Sequence, residues 1–214
     1  MSELDSTAKI RLLIVDDHPV VRMGLSTMLK QNQRIVVTGT VDSGESAIQL
    51  LKRSNVDIVL LDLRMPGLSG IETLRSMLTL SPHLKVIVLS SFEFDEEIHQ
   101  TVVAGARGYI LKDMPGREIL GAIYRVHNGF TYFPKRIADR LNDRRSRPDL
   151  SKREIEILEL VCKGFTNKEI ASALQLSQFT VRNHLNNITS KLEVTDRTEA
   201  AFVAIQTGIV SISQ

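Results

Sequence analysis

From Ile10 to about Asn128, short apolar runs alternate with amphipathic stretches, the order produced by parallel strands joined through crossover helices. Five runs read as strands: Ile10–Asp16, Ile35–Thr40, Ile58–Asp62, Lys85–Ser90 and Gly108–Leu111. The third and fourth, IVLLD and KVIVLS, are continuously apolar, as strands covered on both faces must be. Ser69 followed by Glu72 is the spacing of a capping box and predicts a helix directly after the third strand. The pattern predicts an α/β doubly wound, five-stranded parallel sheet over residues 9–129, behind a short tail at 1–8. Sheets of this kind collect their functional groups in the crevice at the carboxyl ends of the strands.

Beyond Phe130 the pattern dissolves. The stretch FTYFPKRIADRLNDRRSRPD contains Pro134, Pro148 and interspersed arginines and aspartates, and reads as a linker over 130–149 holding one short helix around Lys135–Leu141. From 150 to 214 strand patterns are absent and four helices follow, with Ser151/Glu154, Thr166/Glu169 and Asp196/Glu199 as successive capping pairs. The second unit is therefore expected to be all-α.

Composition agrees with two folded domains. At 214 residues the chain is long for a single domain, and its 43% hydrophobic and 24% charged content supplies a core. The lone Cys162 excludes an intramolecular disulfide framework and sits among Ile157, Leu158 and Val161 as a core filler. Met1 to Lys9 lack the basic start and apolar stretch of a secretory signal, and nothing later approaches membrane-spanning length, so a cytoplasmic protein is expected. Residues 1–130 carry 14 basic and 15 acidic side chains and residues 131–214 carry 13 and 10, a slight basic lean confined to the C-terminal part.

The chemistry-bearing residues lie at the predicted strand ends. Asp16 and Asp17 follow the first strand, Asp62 ends the third, Ser90 the fourth, and Lys112 follows the fifth. Any one aspartate could be a turn former. Three brought together by the fold repel one another, and a hard divalent cation with oxygen ligands relieves this; Mg2+ suits such a site.

The motifs VDDHP (15–19), LLDLRMPG (60–67), VLSS (88–91) and GYILKD (108–113) resemble the receiver domain of two-component response regulators, with its CheY-like fold. The resemblance implies Asp62 as phosphoacceptor, Asp17 as a direct metal ligand, Asp16 as a ligand acting largely through water, and the Arg64 carbonyl as a further ligand. It makes Ser90 and Lys112 contacts to the phosphoryl group, a histidine kinase or small acyl phosphate the donor, and Ser90 with Tyr109 a switch pair in which the ring turns inward. Such a domain is not an enzyme toward other substrates and catalyses only its own phosphotransfer and dephosphorylation. A tyrosine that simply packs half-buried is the plainer alternative. Ser91, Arg64 and Phe92 flank the path of an attacking water and predict slow loss of the phosphoryl group. His18, His83, His99 and His127 lack metal-ligand spacing and are given no role. A magnesium-dependent phosphohydrolase is the competing enzyme class, but residues 9–129 leave no room for a substrate-binding cap.

Residues 150–210, LSKREIEILELVCKGFTNKEIASALQLSQFTVRNHLNNITSKLEV followed by DRTEAAFVAI, resemble the LuxR-type helix-turn-helix of the NarL/FixJ subfamily. Thr166–Leu174 would be the scaffold helix, Gln175–Ser177 the turn and Ser177–Leu192 the helix for the major groove of double-stranded DNA. On that helix Val181, Leu185, Ile188 and Leu192 form the buried stripe, which leaves Thr180, Arg182, Asn183, Asn186 and Asn187 for DNA, with Lys168 and Lys191 on phosphates. Phe179 is either tucked beneath the turn or against a thymine methyl. The nearly all-apolar helix Asp196–Gly208 is expected to be covered on more than one side, by the small domain's own core or by a second copy, and the resemblance implies the second, a homodimer formed when the protein is phosphorylated.

Overall fold

The structure, a computed structural model, describes residues 9–145 and 148–210, so the predicted tail at 1–8 lies outside the described residues. Five strands, β1 (Ile10–Val15), β2 (Ile35–Val41), β3 (Ile58–Asp62), β4 (Lys85–Ser90) and β5 (Gly108–Leu111), pair in parallel in the order β2-β1-β3-β4-β5. Helices α1 (Pro19–Lys30), α2 (Gly44–Leu51), α3 (Gly70–Leu80), α4 (Asp95–Val103) and α5 (Gly116–His127) alternate with them. The order steps outward from β1 in both directions, so the β1 and β3 ends lie side by side where the winding reverses. Every residue of β3 is buried, as its unbroken apolar run predicts.

Local contacts fix the end of β3. A Cβ at Gly70, the first residue of α3, would stand 2.4 Å from Leu63 Cα and 2.8 Å from the Asp62 carbonyl oxygen, so only glycine lets the helix start this close to the strand end. Ser69 caps that start, and Glu72 returns the bond to the Ser69 N–H, completing the predicted capping box.

The linker segment contains α6 (Lys135–Arg145), about a turn longer than the short helix read from the sequence. Beyond it come α7 (Lys152–Cys162), α8 (Asn167–Ala173), α9 (Gln178–Leu192) and α10 (Arg197–Gln206). Compact packing divides the described residues into 9–93 with 100–138 and 94–99 with the part of the chain after 138. In the helical unit Ile157, Leu158, Val161, Ile170, Val181, Leu185, Ile188, Ala200 and Ala204 make one core, and Cys162 packs at its edge. The turn between α8 and α9 passes through Gln175 with φ of 55°, a left-handed position normally left to glycine. No helix of the described residues is long and apolar enough to cross a membrane.

Candidate functional site

Asp16, at the end of β1, is fully buried, and Asp62, at the end of β3, is 3% exposed. Lys112 follows β5 and places its Nζ 2.7 Å from Asp62 Oδ2 and 2.7 Å from Asp16 Oδ2, so one ammonium joins two carboxylates carried by separate strands. The Arg64 N–H donates to Asp62 Oδ1 at 3.2 Å. Asp17 is less buried, and its Oδ1 is shielded from solvent with only the His18 imidazole Nδ1 close to it, at 2.8 Å.

Electrostatics follow from the burial. Loss of solvent raises the Asp62 carboxyl above the ordinary aspartate value, and the Lys112 ammonium and Arg64 N–H offset that only in part. For Lys112, burial pulls the other way, but the hydrogen bonds to Asp16 and Asp62 outweigh it and the ammonium is held raised. A group of three carboxylates with one ammonium remains short of positive charge. Ligand atoms of Asp16, Asp17, His18 and Asp62 lie within 4.8 Å of one another, a donor set that fits a small divalent cation.

His18 belongs to this group although its place in the sequence gave it no role. Its Nδ1 stands 3.2 Å from Asp16 Oδ1 and 2.8 Å from Asp17 Oδ1, and its N–H donates to Asp16 Oδ1 at 2.8 Å. The run Asp-Asp-His was the available signal, since adjacent residues at a strand end can fold back into an Asx-type turn.

Ser90 and Tyr109 converge on one residue. Ser90 Oγ accepts the Phe92 N–H at 3.0 Å, and the Tyr109 hydroxyl donates to the Phe92 carbonyl at 2.8 Å. The Tyr109 ring is fully buried, so the inward position expected only after a switching event is already filled. Phe92 also lies under the Arg64 guanidinium, 4.3 Å from ring centre to charge. Ser91, Phe92 and Arg64 thus stand beside one another above the strand ends.

The helical unit sorts the expected DNA-facing residues into two groups. Arg182, Asn183, Asn186, Asn187 and Lys168 are exposed, Thr180 is half-buried, and Val181, Leu185 and Ile188 face the core. Lys191 differs from the rest: its Nζ donates to Glu154 Oε2 at 2.7 Å and to the Asp149 carbonyl at 3.1 Å. Its ammonium thus pairs with the buried Glu154 of α7 while the side chain stays partly exposed. Phe179 is open to solvent and not tucked beneath the turn.

Comparison with known proteins matches residues 12–124 to the response regulator receiver domain and residues 148–204 to the bacterial regulatory proteins of the luxR family. Response regulator protein VraR of Staphylococcus aureus strain Mu3 is 37% identical over 206 residues, covering 94% of this chain and 99% of VraR. Among solved structures, response regulator ChrA of a heme-sensing two-component system is 35% identical with a TM-score of 0.54, covering 95% of this chain and 100% of ChrA. The response regulator RcsB in complex with DNA is 25% identical with a TM-score of 0.71, over 95% of this chain and 100% of that one.

Proposed function

Since the chain belongs to the response regulators that join a receiver domain to a LuxR-type DNA-binding domain, we propose that it is a transcriptional regulator whose DNA binding is set by phosphorylation of Asp62. The observation that carries this reading is the placement of a buried Asp62 between Lys112 and the Asp16–Asp17 pair at the ends of adjacent parallel strands.

In this account an Asp62 carboxylate oxygen attacks the phosphorus of a phosphohistidine on a partner kinase, and the phosphorus–nitrogen bond breaks as the histidine nitrogen leaves. Lys112 stays beside Asp62 and neutralises the incoming oxygens. Asp17 and Asp62 with the Arg64 carbonyl would hold a magnesium ion, with Asp16 acting through water, and the ion would supply the remaining positive charge at the phosphoryl oxygens. Ser90 Oγ, now occupied by the Phe92 N–H, would turn to the phosphoryl group, which loosens Phe92 and the Tyr109 hydroxyl bound to its carbonyl. The switch thus works by holding or releasing an inward ring. The protein acts on no substrate beyond its own aspartate.

The C-terminal unit would place α9 in the major groove, with Asn183 and Asn186 toward base edges, Thr180, Arg182 and Asn187 beside them and Lys168 on the backbone. Lys191, held by Glu154, is left out of that set. With Arg182 the one cation on that face of α9, binding by one copy would be weak, and the exposed Phe202 and Ile205 of α10 suit a homodimer formed on phosphorylation. Binding to genomic DNA would put the protein in the cytoplasm.

Incubation with acetyl phosphate tests the pocket: wild type should gain one acid-labile phosphoryl group only when Mg2+ is present, and Asp17→Ala should gain none. Incorporation that persists in Asp17→Ala, or without the cation, would contradict the assignment.

A further inference from the structure

The first turn of α9 presents an aromatic ring that the helical core does not use. Phe179 is 71% exposed, while Val181, Leu185 and Ile188 of the same helix are buried. It precedes Asn183 by four residues and Asn186 by seven, so the three side chains share one stripe of the helix surface. Ser177 fixes the turn from which the ring projects: its Oγ accepts the Thr180 N–H at 3.0 Å and is hydrogen-bonded to the Thr180 hydroxyl at 2.8 Å. The ring is therefore carried on rigid backbone, and a phenylalanine side chain has only two torsions to restrict on contact.

Asn183 and Asn186 beside the ring are exposed and uncharged, and Arg182, three residues after Phe179 and four before Asn186, borders them as the one cation at that edge of the helix. An apolar ring between two amides suits base edges better than the anionic backbone, which Arg182 at the border can reach. Among the groups that base pairs present in the major groove, the thymine C5-methyl is the apolar one. Resting on the reading of α9 as the recognition helix, we propose that Phe179 packs on a thymine methyl and so determines specificity at that position, next to the amide readout by Asn183 and Asn186.

The test replaces each thymine of the preferred duplex, obtained by selection from random DNA, with deoxyuridine, which removes the methyl and keeps the pairing. Binding of the full-length chain is measured with wild type and with Phe179→Ala, a change at an exposed position whose fold is checked by circular dichroism. One replacement should weaken wild type by about three- to fourfold, the value of one buried methyl, and should leave Phe179→Ala indifferent. The inference is overturned if no replacement weakens wild type. It is equally overturned if Phe179→Ala keeps the same deoxyuridine penalty while binding every duplex less well, as a ring packed on sugar or on a second copy would give. A wild type that selects no duplex removes the recognition-helix reading itself and this inference with it.

Discussion

Burial holds the Asp62 carboxyl above the ordinary aspartate value, and that shift can be measured apart from its reactivity. Burial raises its folded pKa above the unfolded value, so the native state binds more protons than the unfolded chain as pH climbs between the two. Stability tied to this group is therefore full below the ordinary aspartate value and lost as pH rises through the raised one. Asp62→Asn should accept no phosphoryl group yet melt above wild type at neutral pH without divalent cation, with the two melting points converging in acid; Asp16 still pairs with Lys112 in the variant. A variant that melts below wild type at neutral pH would show that the Lys112 pair outweighs burial. The stack of Arg64 on Phe92 beside Ser91 bears on lifetime. Phe92→Ala should release phosphate several-fold faster than wild type, and Ser91→Ala should be no slower; a slower Ser91→Ala in a phosphate-release assay contradicts the steric account.

The pairing of α9 with α7 gives Lys191, expected on a DNA phosphate, a partner inside the helical unit. Glu154 is buried at the start of α7, caps Ser151 and meets Lys191 on α9. Burial alone would raise this carboxyl, but the Lys191 ammonium and the Ser151 N–H outweigh it and hold it below the ordinary glutamate value. A lowered folded pKa means that the stabilisation is present above the unfolded value and lost as pH falls through the folded one. Glu154→Gln should cost the helical unit about 1–3 kcal/mol at neutral pH, and denaturant melts should show the penalty shrinking in acid; a pH-independent penalty would assign the loss to packing. The capping boxes of α3, α7 and α8 were legible in the sequence because their partners stand three residues apart. The Glu154–Lys191 pair was not, since its partners are 37 residues apart and meet only through tertiary packing. His18 was hidden for a related reason: spacing rules describe ligands along one element, whereas its imidazole reaches the pocket by a turn back onto Asp16 and Asp17.

For the chain as a whole, the five strands and their crossover helices follow from the apolar runs, and the order β2-β1-β3-β4-β5 found in the structure brings Asp16, Asp62 and Lys112 together. The burial of Tyr109 and the full length of α6 were not legible, because both depend on what packs around them and not on local pattern. The asparagine-rich face of α9 predicts a preferred duplex with at least one important adenine, since asparagine pairs with adenine N6 and N7. Selection from random DNA should give a relaxed preference at that base with Asn183→Ala or Asn186→Ala. Unchanged preference with weaker binding would place these side chains on the backbone. The central claim is that Asp62 governs DNA binding, and the direct measurement is the affinity of full-length protein for the selected duplex before and after acetyl phosphate with Mg2+, beside Asp62→Asn treated identically. Treated wild type should bind at least about tenfold more tightly, within the range of ordinary allosteric coupling, and Asp62→Asn should stay at the untreated level. Equal affinity of treated and untreated wild type, or a matching gain in Asp62→Asn, would contradict it.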